Sequence, residues 1–232
     1  AGLGVARVVF ENLDAEVAFR ELAKDGDALV AGAPIAEVSG EARVLLGGER
    51  LALNFLQRLS GIATLTADYV RRVQGTKARI LDTRKTIPGW RALEKYAVRV
   101  GGGMNHRHSL GHGILIKDNH IALSGGVNEA VARARRACPL LIGIEVEVQT
   151  LDQVREALEA GDEVIMLDNM SREEMGKAIG MIGDRAQVEA SGGVSLEDVE
   201  SIAKIGVDFI SVGKLTHSAP AADIAMKVVN IQ

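Results

Sequence analysis

Six apolar runs of this chain end in residues that could do chemistry. Arg84 and Lys85 follow "ILDT", Lys117 and Asp118 follow "GILI", and Glu145 and Glu147 alternate with apolar residues in "IEVEV". Asp168 and Asn169 end "VIML", Ser191, Gly192 and Gly193 end "QVEA", and Gly213 ends "FISV". With Arg107, the cations Arg84, Lys85 and Lys117 form a donor set: the planar arginine fork suits a carboxylate or phosphate, and lysine supplies a compact charge. Glu147 and Asp168 are hard-oxygen acceptors, suited to ribose hydroxyls or a cation such as magnesium. "ASGG" and "SVGKLTHS" are small-residue loops whose amides can surround a phosphate where a following helix begins. Such a set would hold a phosphorylated sugar at one end and a multiply anionic small molecule at the other. Phosphoribosyl transfer fits, because acidic groups beside the ribose and cations on the leaving pyrophosphate both stabilise its transition state.

The stretch "GGGMNHRHSLGHGILIKDNH", residues 101–120, holds four of the five histidines and poses a choice between a metal site and an anion pocket. Arg107 and Lys117 would repel a cation there, and no cysteine completes a soft-ligand set. His106 therefore reads as an anion-site residue with Arg107 and Lys117. His108 and His112 read as local structure, and His120 as support for Asn119 and Asp118.

The elements that must position these residues follow from periodicity. "ARILDT", "GILIKD", "LLIGIEVEV", "EVIMLDN", "QVEASGG" and "DFISVG" read as strands, with helices near 89–99, 126–137, 150–160, 171–182, 195–205 and 219–230. Alternating βα units imply a parallel sheet whose strands all end on one face, and the late glycine-rich loops favour a barrel over an open doubly wound sheet. No Gly-x-Gly-x-x-Gly follows an early strand, which argues against a dinucleotide fold. The first 50 or so residues read as a small β-rich module of three runs, "ARVVFEN", "ALVAGAPIAEVSG" and "EARVLL", and helical spacing begins at about Leu51. Gly61 in that helix predicts a close packing neighbour. "DGDALVAGAPIAEV" resembles a biotinyl or lipoyl carrier hairpin, but no lysine stands at its tip.

Composition sets the remaining bounds. The chain has 232 residues, 47% hydrophobic and 25% charged, as expected of an ordinary globular protein. Aromatic content of 3% argues against a base-stacking surface, so no nucleic-acid partner is expected. No apolar run approaches a membrane span, so no membrane partner is expected. One cysteine, Cys138, predicts a buried thiol in a reducing compartment, by default the cytoplasm. The net charge of −4 conceals a local balance of +8 between Arg71 and Arg107, which points to anionic ligands.

"ERLALNFLQRLSGIAT", "DTRKTIPGWR", "KYAVRVGGGMNHR", "LIKDNH", "IEVEV", "MLDN", "EASGGV" and "SVGKLTHS" together resemble quinolinate phosphoribosyltransferase, in order and along the whole chain. The resemblance implies conversion of quinolinate and 5-phosphoribosyl-1-pyrophosphate to nicotinate mononucleotide, pyrophosphate and CO2, with Mg2+, in NAD biosynthesis. It implies an incomplete parallel α/β barrel with a small open-faced β-sandwich domain. The expected boundaries are residues 1–52 for the sandwich, lacking an N-terminal helix and strands that members usually carry, 53–218 for the barrel, and 219–232 for a helix returning to the sandwich. It also implies a homodimer, or a larger assembly, in which Arg50 reaches the partner's site.

Carried over by motif, Arg84, Arg107 and Lys117 would hold the two quinolinate carboxylates, with Arg50 from the partner. Lys85 and His106 would face the phosphoribosyl pyrophosphate, and Glu147 and Asp168 would bind ribose hydroxyls and magnesium. Ser191, Gly192, Gly193 and Gly213 would bind the 5-phosphate together with His217. Thr83 lies between the substrates and, like Glu145, is a secondary candidate. Ile87, Trp90 and "HSLGHGI" depart from the family pattern in pocket walls and loop packing, not in the cationic set. A molybdenum-associated relative of the same fold would lack the asparagine of "NHR", which is present here as Asn105.

Overall fold

The computed structural model describes residues 1–229. Internal contacts divide the chain into two units: residues 1–67, 86–102 and the chain from Lys214 onward form one, and residues 68–85 with 103–213 form the other.

In the first unit, "ARVVFEN" is helical and not a strand. All of it but the C-capping Asn12 lies within α1 (Leu3–Glu11), whose buried Leu3, Ala6 and Phe10 share one face. That helical spacing overrides the β-branched pair Val8 and Val9. "EARVLL" is likewise helical, since α2 (Ala42–Arg72) begins there and runs for 31 residues. The boundary expected at 52/53 therefore falls inside a continuous helix. β1 (Ala18–Glu21) and β2 (Ala36–Ser39) are the strands of this unit, paired antiparallel with Ala18 opposite Ser39. A two-stranded sheet cannot bury its own apolar residues, and Phe19, Ile35 and Val38 pack on a cluster built by Phe10, Val17, Ala52 and Leu56.

The expected C-terminal helix does not form over residues 219–229, and residues 230–232 lie outside the described residues. Pro220 opens the segment, and its backbone bonds go to α2: the Ala222 amide donates to Gln57 O (2.9 Å), and Gln57 Nε2 donates to Ile224 O (2.8 Å). Ile224 and Met226 pack on the Phe10 cluster. This is the close neighbour of Gly61, where a Cβ would sit 1.9 Å from Pro220 O.

The second unit holds six parallel strands: β3 (Arg79–Leu81), β4 (Ile114–Ile116), β5 (Ile144–Val148), β6 (Val164–Asp168), β7 (Gln187–Ser191) and β8 (Phe209–Ser211). Their order is β3-β8-β7-β6-β5-β4. The first strand pairs with the last, as Leu81 with Ser211. In an open sheet wound in sequence order those two would stand at opposite edges, so this pairing is that of a barrel. The break lies between β3 and β4, which makes the barrel incomplete. Met104 fills part of the break, bridging in parallel to Leu81 with its amide on Ile80 O (2.8 Å).

Helices α4 (Asp118–Ser124), α5 (Val127–Ala137), α6 (Leu151–Ala160), α7 (Arg172–Ile182) and α8 (Val199–Ile205) belong to the same unit. α8 starts later than expected because Ser195 and Asp198 form a turn, with the Ser195 hydroxyl donating to Asp198 Oδ2 (2.7 Å). No helix among the described residues is long and apolar enough to cross a membrane.

Asp162, just before β6, is 3% exposed, and neither carboxylate oxygen has a hydrogen-bond partner. Burial pushes its pKa up to about 6, against the pull of Arg135 at 3.9 Å. Between the unfolded value near 3.8 and about 6 the folded state holds a proton that the unfolded state has lost, so stability falls as pH rises through that window. Asp162→Asn removes the ionisation, and the variant should gain roughly 1–2 kcal/mol at pH 7. Urea unfolding at pH 4 and pH 7 checks this; a gain equal at both values would contradict it.

Candidate active site

Strand alternation sorts the barrel residues into two faces. Val146, Val148, Ile165, Leu167, Val188, Ala190 and Ile210 are buried on one face, as are Val131, Val154, Ala157, Ala178 and Ile182 of the helices. The alternate positions, which face the interior, are Glu145, Glu147, Met166, Asp168, Glu189, Ser191, Phe209 and Ser211. Barrel interiors are ordinarily filled by branched apolar layers. Here four carboxylates occupy the interior, each costing several kcal/mol to desolvate unless it is paired. Their partners define the site.

Asp82, the residue after β3, is fully buried and organises the "NHR" segment: its Oδ2 accepts from Asn105 Nδ2 (2.6 Å) and its Oδ1 from the His106 amide (2.9 Å). The His106 ring then turns inward. Nδ1 accepts the Arg107 amide (2.8 Å), which leaves Nε2 to carry the proton and donate, 3.0 Å from Glu145 Oε2 and 3.6 Å from Glu189 Oε2. Burial first, then repulsion from Glu145, pushes the Glu189 carboxyl well above the usual carboxylate range; contact with Ser211 works the other way. These forces favour the neutral acid at Glu189. His106, Glu145 and Glu189 bring three potential metal-ligand atoms within 4.8 Å of one another. A protonated Nε2 cannot ligate a metal, so the arrangement is that of a hydrogen-bonded group.

Lys117, one residue beyond β4, extends the β4–β5 register to lie beside Glu147, and its Nζ donates to Glu147 Oε2. A substrate carboxylate reaching Lys117 must compete with this pair. Asp168 Oδ2 accepts from Asn169 Nδ2 (2.8 Å) and Gln149 Nε2 (3.3 Å). Ser191 Oγ accepts from the Ser211 hydroxyl (3.0 Å), joining β7 to β8. Gly192 and Gly193 follow with φ of 96° and 60°, the left-handed region that lets successive amides turn toward one side. Because α8 begins only at Val199, the loop offers these amides and not a helix end. Gly213 lies partly buried just past β8.

On the cationic side, Thr83 and Arg84 are half-buried after β3, Lys85 is exposed, and the Lys85 amide donates to Thr83 Oγ1 (3.1 Å). Arg107 is half-buried and its Nη1 donates to Gly113 O (2.8 Å). Burial, with the like charge of Arg84 added, lowers the Arg107 pKa, and Glu145 opposes this. Two guanidiniums whose like charges disfavour each other can together receive an anion. Arg107 and His106 also line a cavity of about 240 Å³ that reaches Ile114, Ile144 and Val164, the first residues of their strands. That cavity lies deeper than the strand ends carrying Asp168, Ser191 and Gly213.

The remaining two expected site residues belong to the first unit. Arg50 is exposed on α2, and His217 is exposed at the end of α9 (Lys214–His217), its Nδ1 2.6 Å from Ser218 Oγ. Sequence reasoning overlooked Glu189, Asp82 and Ser211 as parts of the site. For Glu189 a signal existed: "QVEAS" places a glutamate two residues before Ser191, on the same strand face.

Family models match both parts of the chain, the quinolinate phosphoribosyl transferase N-terminal domain over residues 1–60 and its C-terminal domain over residues 62–227. A probable nicotinate-nucleotide pyrophosphorylase [carboxylating] of Bacillus subtilis is 48% identical over 98% of this chain and 79% of its own. The nicotinate-nucleotide pyrophosphorylase [carboxylating] of Mycobacterium leprae is 46% identical over 97% of this chain and 81% of its own. The crystal structure of NadC from Streptococcus pyogenes superposes with a TM-score of 0.94 at 47% identity, covering 98% of this chain and 81% of that one. A barrel broken between its first two strands, an interior of paired carboxylates and cations, and matches running from Ala1 to Lys227 agree: the chain belongs to the quinolinate phosphoribosyltransferase family.

Proposed function

We propose that this protein transfers the phosphoribosyl group of 5-phosphoribosyl-1-pyrophosphate to quinolinate with decarboxylation, giving nicotinate mononucleotide, pyrophosphate and CO2 for NAD biosynthesis. Family membership supports the reaction. The observation that carries the assignment of roles is the pair of half-buried guanidiniums, Arg84 and Arg107, whose like charges disfavour each other and which together suit an anion with more than one charge. Quinolinate has two adjacent carboxylates, and Arg84, Arg107 and Lys117 receive them. Held this way, the ring nitrogen is presented to the ribose C1 carbon, and proximity lowers the barrier to its attack as pyrophosphate leaves. Lys85 lies toward the departing pyrophosphate, and Glu147 and Asp168 stabilise the positive charge that develops on the ribose. The quaternised ring then accepts the electron pair released as the 2-carboxylate departs as CO2, and the ring carbon takes up a proton. No enzyme nucleophile takes part.

Glu147 and Asp168 also suit magnesium: they are hard-oxygen donors at inward positions of adjacent strands, held by a lysine and by two neutral amides that a bound cation can supplant or tolerate. A magnesium ion there would neutralise charge on the pyrophosphate. Ser191, Gly192, Gly193, Gly213 and His217 bind the 5-phosphate. The working unit is a homodimer in which Arg50 reaches the partner's quinolinate pocket, and the enzyme works in the cytoplasm.

The test is direct. Protein, quinolinate, 5-phosphoribosyl-1-pyrophosphate and magnesium should release CO2 and nicotinate mononucleotide in equal amounts. Equal turnover of nicotinate in place of quinolinate would overturn the two-carboxylate reading.

A further inference from the structure

Asn169 is the only described residue other than glycine with a positive φ, at 54°. Asparagine tolerates this region better than most residues, yet the conformation costs free energy that surrounding contacts must offset. Three contacts over-determine it. The Asn169 amide donates to Ser191 O (3.0 Å), extending the β6–β7 ladder past Asp168. Its side-chain Nδ2 donates to Asp168 Oδ2 (2.8 Å). Its carboxamide also lies directly against Gly192: a Cβ built on that glycine would stand 2.3 Å from Asn169 Oδ1 and 2.5 Å from its Cγ. One residue in an uncommon conformation therefore touches both the acid at the end of β6 and the glycine loop at the end of β7.

We propose that Asn169 is a positioning residue that locks the Asp168 carboxylate to the Gly192 loop and so sets the separation between the ribose end and the 5-phosphate end of the phosphoribosyl site. This rests on the roles assigned above to Asp168 and Gly192. The left-handed turn is what points the short side chain back along the strand to Asp168 while its flat amide covers the loop. A right-handed or extended residue at this position would send the side chain elsewhere. Quinolinate contacts come from other strand ends, so the effect falls on one substrate.

The test uses Asn169→Gly, which accepts φ of 54° without strain and removes the carboxamide. Its KM for 5-phosphoribosyl-1-pyrophosphate should rise at least tenfold, with the KM for quinolinate within about twofold of wild type and thermal stability preserved. Asn169→Ala should show the same KM change with a lower melting temperature, since alanine must bear the backbone strain. In an Asp168→Asn background, Asn169→Gly should add little further change, because the group it positions is already altered. Wild-type kinetics in an active Asn169→Gly enzyme, or equal rises in both KM values, would overturn the proposal. An inactive wild-type protein would instead overturn the reaction on which the proposal rests.

Discussion

Arg107→Ala should lower kcat/KM for quinolinate by roughly a thousandfold, equivalent to about 4 kcal/mol of transition-state stabilisation, while the KM for 5-phosphoribosyl-1-pyrophosphate changes little. Arg107 is the half-buried guanidinium whose pKa is lowered by burial and by Arg84, so binding a dianion relieves a repulsion already built into the free protein. A charge-assisted pair formed in such a site is worth more than one at the surface. Among the described residues, the hydrogen bond lost with the side chain is the one from Nη1 to Gly113 O. The structural cost should therefore stay near 1 kcal/mol. Arg107→Lys restores charge without the planar fork and should recover only part of the loss. Steady-state kinetics in both substrates, together with a thermal melt, check this; full activity in the alanine variant would sink the quinolinate assignment.

Glu94→Ala should have the largest effect on stability, about 3–5 kcal/mol, a sizeable share of the 5–15 kcal/mol typical of a folded domain. Glu94 on α3 (Arg91–Val100) is fully buried. Its Oε1 accepts from Arg58 Nε (3.0 Å) and Nη2 (2.8 Å), and its Oε2 from the Ile87 amide (3.1 Å). Arg58 in turn donates to Thr216 O and to Ala219 O (3.2 Å), so the pair ties α2, α3 and the C-terminal segment together within the first unit. Truncating the carboxylate leaves a largely buried guanidinium without its counter-charge. The check is a urea denaturation series with Arg58→Met/Glu94→Leu as the companion. That double variant removes both charges at similar volume and should lose far less than Glu94→Ala. Equal losses would mean that volume, not charge burial, holds these helices together.

How far the sequence could be read differs between the two units for physical reasons. In the second unit, each strand is an apolar run bounded by turn residues, and the helices between strands keep a clear 3.6-residue period. Local pattern and tertiary environment agree there, so strands β3 to β8 and the strand-end residues were legible. In the first unit they conflict. "ARVVFEN" has the composition of a strand, but Leu3, Ala6 and Phe10 bury together only as a helix. "EARVLL" is drawn into α2 because the helix continues across it, and residues 219–229 leave the helical path because their hydrogen bonds go to Gln57.

By itself, the sequence determined the alternating strands and helices, the family, and which cations and carboxylates stand at the strand ends, because residue type and spacing carry that information directly. Only the tertiary structure decided which of them touch: Lys117 on Glu147, His106 between Glu145 and Glu189, Asn169 joining Asp168 to Gly192. Those contacts depend on parallel strand register and on barrel closure of β3 against β8. They also depend on how burial shifts the charge state of a group such as Glu189. These are properties of segments far apart in the chain, and no local pattern encodes them.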